Sequence, residues 1–162
     1  MPLSSLRQAL LALLLLVGLG LTGGPSRAEP LSQGQTLYVP VYSHVFSGDR
    51  GLPFNLAAIL SLRNCDPEKP LRILAADYYD SAGKRLKRHL VEPLEIAPLA
   101  SHSIFIKETD TSGGFGASFI VRWQAATPVQ PPVVEAVMIG ARSGQGISFI
   151  SPARVIADTS LR

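Results

Sequence analysis

The sequence predicts an all-β fold, an immunoglobulin-like antiparallel β-sandwich of about seven to nine strands. Three observations predict it. Apolar residues recur with a period of two through most of the chain after Gln35, the repeat of half-buried strands. Clusters of Gly, Pro, Asn and Asp separate these runs, with 14 Gly and 13 Pro in 162 residues, as turns between strands require. No sequence repeat with a period of roughly 20 to 50 residues is visible, which excludes solenoids and propellers.

The strands follow in order. Leu37, Val39 and Val41 alternate with Tyr38, Pro40 and Tyr42, and Pro40 assigns this run to an edge or a bulge, because proline cannot donate to a ladder. Phe54, Leu56, Ala58, Leu60 and Leu62 form one row, with Asn55, Ala57, Ser61 and Arg63 opposite. Leu71 to Asp80 is a third run, closed by Ser81-Ala82-Gly83-Lys84, a hairpin turn. Weak strands lie between Leu86 and Glu95. His102, Ile104 and Ile106 mark another, and Phe119, Val121 and Trp123 alternate with Ser118, Ile120 and Arg122. Val133 to Ile139 is apolar on both faces, as a central strand is, and Ile147 to Val155 closes the set. A single domain is expected over residues 35–156, between a flexible segment at 29–34 and a tail at 157–162.

The first 28 residues carry an address. Arg7 precedes the apolar run Ala9 to Leu21, and Ser26-Arg27-Ala28 places small residues at a cleavage site. The run is shorter than the roughly 20 residues of a membrane-spanning helix, and the order is that of a secretory signal peptide. The expected product begins near Glu29 and is periplasmic or secreted, with no transmembrane helix in the mature chain. Without Arg7 and Arg27 the formal charge of +3 falls to +1, so the electrostatic footprint of a nucleic-acid partner is missing. The single cysteine, Cys65, excludes an internal disulfide. In Asn64-Cys65-Asp66-Pro67 it reads as a small residue at a strand-ending turn.

Several stretches form a joint pattern. They are Tyr38-Val39-Pro40-Val41-Tyr42-Ser43, Leu62-Arg63-Asn64-Cys65-Asp66-Pro67 and Asp77-Tyr78-Tyr79-Asp80-Ser81-Ala82-Gly83. Asp110 to Val121, Glu135 to Gly140 and Gly144 to Phe149 complete it. In this order they resemble the bacterial family called domain of unknown function 3124, over roughly Gly34 to Val155. The resemblance implies small exported or membrane-attached proteins and brings no catalytic residue with it. A hydroxyl residue is usual in that family where Cys65 stands, so no functional thiol is implied.

The candidate sites each have a structural counterpart. Gly113-Gly114-Phe115-Gly116 leads into a strand with no following Lys, whereas a phosphate loop leads into a helix. It is expected to be a tight connection needing positive φ, with Asp110, Thr111, Ser112, Gly113 and Gly114 as candidate binding positions. Tyr38, Tyr42 and His44 fall on one face beside Pro40 and are candidates for an aromatic strip that recognises a partner. Asp77 and Glu135 stand on apolar rows and, if they met in a cleft, would suit glycoside hydrolysis; the structural alternative bonds them to amides or to an Arg such as Arg122. His44, His89 and His102 have no metal-ligand spacing, and no Gly-x-Ser-x-Gly elbow is present. Lys84, Arg85, Lys87, Arg88 and His89 form the basic cluster, expected as a solvated hairpin arm. The first expectation is an exported, non-enzymatic module without cofactor or bound metal that binds a cell-envelope protein or glycan. The alternatives are a carboxylate-dependent hydrolase acting on envelope glycans and a metal-ion-binding envelope module.

Overall fold

The computed structural model describes residues 29–142 and 144–158. The signal peptide expected over residues 1–28 lies outside them. The described residues hold twelve strands: β1 (Ser32–Val41), β2 (His44–Ser47), β3 (Leu52–Asn55), β4 (Ala57–Arg63), β5 (Leu71–Tyr79), β6 (Arg85–Arg88), β7 (Leu94–Ile96), β8 (Ser101–Ile106), β9 (Ala117–Val129), β10 (Val133–Arg142), β11 (Gln145–Pro152) and β12 (Arg154–Asp158). One sheet has the order β12-β1-β9-β5-β6, and β7 shares the far side of β5 with β6. The second has the order β11-β10-β4-β8, and β2 pairs with β3 in a small hairpin. All strand pairs are antiparallel. The predicted sandwich is therefore present, with more strands than expected. The short β2–β3 hairpin is one source of the excess. Another is the last run, which Ala153 divides into β11 in one sheet and β12 in the other.

The core forms where the inward rows of the two sheets meet. Leu37, Val39 and Val41 of β1 and Phe119, Val121 and Trp123 of β9 face Ala58, Leu60 and Leu62 of β4 and Val134, Ala136 and Met138 of β10, all buried in one cluster. Each large aliphatic or aromatic side chain removed from water contributes about 1.5–3 kcal/mol, so these rows fix the register of both sheets. Gly140 belongs to the same constraint. A Cβ there would stand 2.7 Å from the Asn55 carbonyl oxygen and from the Phe54 ring, and glycine lets the β3–β4 corner close over β10.

Three sequence expectations change. β5 carries a bulge between Ile73 and Ala75 in its pairing with β9. Leu71 and Ile73 face the core, but after the bulge Ala76 and Tyr78 do so, opposite Val121 and Phe119. Asp77 consequently leaves the apolar row and stands on the outer face, still only 5% exposed. Second, β1 is flanked by β9 and, over Gln35 to Tyr38, by β12. Pro40 lies past the end of β12, in a stretch of β1 that β12 does not pair, which is the position proline needs. Third, parts of the flanks expected to be loose, Ser32 to Gly34 and Ala157 to Asp158, lie in strands β1 and β12. Ser32 Oγ and Gln35 Nε2 donate to the Asp158 carboxylate at 3.2 Å each, tying the start of β1 to the end of β12.

The Asn64–Pro67 turn is built as its residues predict. Asn64 Nδ2 donates to the carbonyls of Lys69, Ile96 and Ala97, and the Asp66 carboxylate accepts from the amides of Glu68, Lys69 and Gln130. The exposed Cys65 thiol donates to the Pro131 carbonyl at 3.0 Å. The Glu68 amide bond, with those of Lys69 and Gln130, holds the Asp66 carboxyl below its ordinary value of 3.8 against the opposing effect of desolvation. A lowered carboxyl value stabilises the fold above the unfolded value and withdraws that contribution as pH falls through the folded one. We therefore expect the wild-type stability to drop as pH falls below 3.8. Asp66→Asn should lose stability at neutral pH and lack that acid limb in chemical denaturation followed from neutral pH to pH ~2.

Candidate functional site

One end of the sandwich gathers residues from four separated segments. There β1 ends at Val41 opposite Ala117, the first residue of β9, and β5 ends at Tyr79 opposite Ser118. The connection between β8 and β9, residues 107–116, crosses this end. Ser43 is the buried peg that holds it. The Ser43 amide and Oγ both donate to the Gly114 carbonyl, at 3.2 and 3.0 Å, and its own carbonyl accepts from the Leu56 amide at 2.9 Å. From the other side, the Ser81 amide and Oγ donate to the Gly113 carbonyl at 3.0 Å each, and Ser81 Oγ accepts from the Gly116 amide at 2.9 Å.

The glycines in this connection have different reasons to be glycine. Gly114 has φ of +76°, a conformation that disfavours side chains. Gly113 has no such need. A Cβ at Gly113 would overlap the Tyr78 hydroxyl and stand 2.7 Å from the Ala117 Cβ. The positive φ expected for the loop thus applies to Gly114, while close approach governs Gly113. Asp110 shapes the preceding turn: its Oδ1 accepts from the Ser112 amide at 3.1 Å and from Ser112 Oγ at 2.5 Å.

Around this peg lies an aromatic cluster. Tyr42 meets Phe115 edge-to-face at 5.1 Å between centroids and Phe149 at 5.5 Å. His44 meets Phe46 at 5.1 Å, and Phe46 meets Phe115 at 5.9 Å. Phe46 and Phe115 remain 59% and 49% exposed. Two features that are separate in the sequence, the Tyr42–His44 pair and the Asp110–Gly114 loop, are thereby one surface. Tyr38 does not join it: its register partners Ile120 and Arg154 lie on the outer face of the first sheet. Of the phenylalanines in this cluster, Phe46 and Phe149 carry no distinguishing signal in the sequence. Phe115, a large aromatic between Gly114 and Gly116, was the legible signal among them.

The other candidate constellations come apart. Asp77 lies on the outer face of the first sheet, 3.6 Å from Arg85 Nη1 and 3.7 Å from Arg88 Nε. Glu135 lies on the outer face of the second sheet, since Val134 and Ala136 point inward, and is 3.6 Å from Arg63 Nη2. None of these three ion pairs uses Arg122, and the two carboxylates share no cleft. Two cations of the basic cluster thus have a structural task, neutralising Asp77 from the exposed edge strand β6. Among the described residues no group of three or more His, Cys, Asp and Glu side chains gathers to hold a metal ion.

Comparison with known proteins shows where the chain belongs. Residues 34–156 match the model of the family described as "Protein of unknown function (DUF3124)", and the chain is a member of that family. No curated protein matches it. A solved structure described as "Crystal Structure of Thermotoga maritima 1070" is similar at 12% identity and a TM-score of 0.46, covering 79% of this chain and 97% of its own. No helix among the described residues is long and apolar enough to cross a membrane.

The Gly113 contact makes a testable statement. Gly113→Ala should lower stability by about 1–3 kcal/mol, the range for forcing an extra methyl group into a packed site. Tyr78→Phe in the same chain should restore part of the loss, because the hydroxyl is the nearest obstacle. Denaturant melts of both single variants and the double variant measure that coupling.

Proposed function

We propose that this DUF3124 member is an exported, non-enzymatic recognition module that binds a cell-envelope protein through the aromatic end of its sandwich. The observation that carries this is the convergence of Tyr42, His44, Phe46, Phe115 and Phe149 at one rim, with Phe46 and Phe115 half open to solvent. Exposed aromatics offer large contact area at small entropic cost and are enriched at protein interfaces. The Ser43 and Ser81 bonds to Gly114 and Gly113 hold the loop in place before any partner arrives, which lowers the ordering cost of binding. The placement of Asp77 and Glu135 on different sheets, each paired with its own arginines, weighs against a carboxylate-dependent hydrolase built on those two residues.

The export part of the proposal rests on the apolar leader, which directs the chain to the periplasm or the exterior. N-terminal sequencing of protein from the native host should find a start near Glu29; retention of the leader on a cytosolic chain would overturn export. The binding part is tested by cross-linking in the intact envelope. The wild type should yield a discrete adduct, and Phe46→Ser/Phe115→Ser should lose it while keeping a wild-type circular-dichroism spectrum. An identical adduct from the variant would remove the rim as the contact surface.

A further inference from the structure

The inner side of the same connection closes over a second feature. A cavity of about 290 Å³ lies between the β6 arm and residues 107–112. Its volume is at the low end of small-molecule sites, roughly 300–1,000 Å³, which suits a small ligand. Tyr78 lines it and is 2% exposed, and its hydroxyl has no hydrogen-bond partner among the protein atoms. His89, also in the lining, leaves its Nε2 buried and equally unpartnered. Its ring packs against those of Tyr78 and Phe119 at 6.4 and 5.4 Å. An unpaired buried polar group costs about 1–3 kcal/mol, and here two such groups border one cavity.

The lining decides the ligand's chemistry. Lys87 and Lys107 bring two cations to it against the single carboxylate of Asp110, which the Ser112 amide and hydroxyl already engage. Burial, with the Asp110 charge adding to it, pushes the Tyr78 phenol up to about 12, so it is a donor at neutral pH. Burial, reinforced by Lys87, moves the His89 imidazole below its ordinary value against the pull of Asp110 and Asp77. Leu86 and Phe105 supply an apolar wall. We propose that this cavity binds a small carboxylic acid in its carboxylate form, with the anion drawn to Lys87, Lys107 and the Tyr78 hydroxyl and a short apolar chain against Leu86 and Phe105. The site is independent of the aromatic rim, although the 107–116 connection contributes to both.

The test is calorimetric titration of the protein, as its host produces it, with sodium butyrate, with butyramide as the uncharged analogue and inorganic phosphate as a compact anion. Butyrate should bind saturably and displace phosphate, and butyramide should give no signal. Tyr78→Phe should weaken butyrate about fivefold, the value of one hydrogen bond, with thermal stability equal to or above wild type because an unpaired hydroxyl is gone. Lys107→Met should weaken it by about tenfold, as loss of a charge-assisted contact does. Phe46→Ser/Phe115→Ser should bind butyrate as the wild type does, which separates this site from the rim. Butyramide binding as well as butyrate, phosphate binding more tightly, an absence of saturation, or wild-type affinity in both Tyr78→Phe and Lys107→Met would each overturn the proposal.

Discussion

The bulge between Ile73 and Ala75 decides which chemistry lies inside this sandwich and which lies outside. Two residues of β5 oppose one step of β9 there, and every later side chain of β5 changes face. Tyr78 turns inward onto Phe119 at 5.0 Å, while Asp77 turns outward to Arg85 and Arg88. The His89 amide donates to the Ala76 carbonyl at 3.0 Å, so the shift also sets where the imidazole enters. Without the bulge the phenol would face solvent and a carboxylate would face the core. A carboxylate without a partner there is far costlier than a phenol, so the alternative register is strongly disfavoured.

Most of the fold was legible because most strands keep strict alternation. Phe54 to Leu62 buries its even-numbered row without exception, and Phe119, Val121 and Trp123 do the same on the odd positions. Val133 to Ile139, apolar on both faces, is indeed internal, between β11 and β4. The β5 bulge was illegible for a specific reason. The change of face falls across Leu74, Ala75 and Ala76, and small or apolar residues on both sides of it leave no polar mark in the pattern. Asp77 therefore reads as a core carboxylate in the sequence and is a buried, ion-paired residue on the outer face of the first sheet in the structure.

The candidate site was half legible. Tyr42, His44 and the Asp110–Gly114 loop are visible as an aromatic pair and a glycine-rich turn, yet nothing in their spacing says that they touch. The contact depends on Ser43, an ordinary serine in the sequence, whose amide and hydroxyl both reach the Gly114 carbonyl. Phe149 arrives from β11, more than a hundred residues after Tyr42 in the chain. Such a cluster is a product of topology. It forms because β1 and β5 end, and β9 begins, at the same edge of the sandwich, and β10 turns into β11 there.

Tyr78 itself weighs against a purely structural role for the space beneath the 107–116 connection. Burying its ring against Phe119 brings about 1.5–3 kcal/mol, and burying an unpaired hydroxyl costs about 1–3 kcal/mol. Phenylalanine would keep the first quantity and avoid the second. It would also relieve the crowding at Gly113, whose missing Cβ is what lets the hydroxyl fit. Packing alone therefore favours phenylalanine with a less constrained loop, and the chain instead carries a tyrosine together with the glycine that accommodates it. The pair makes physical sense when the hydroxyl has a partner that is not part of this chain, and Tyr78 borders a cavity that Lys87 and Lys107 also line.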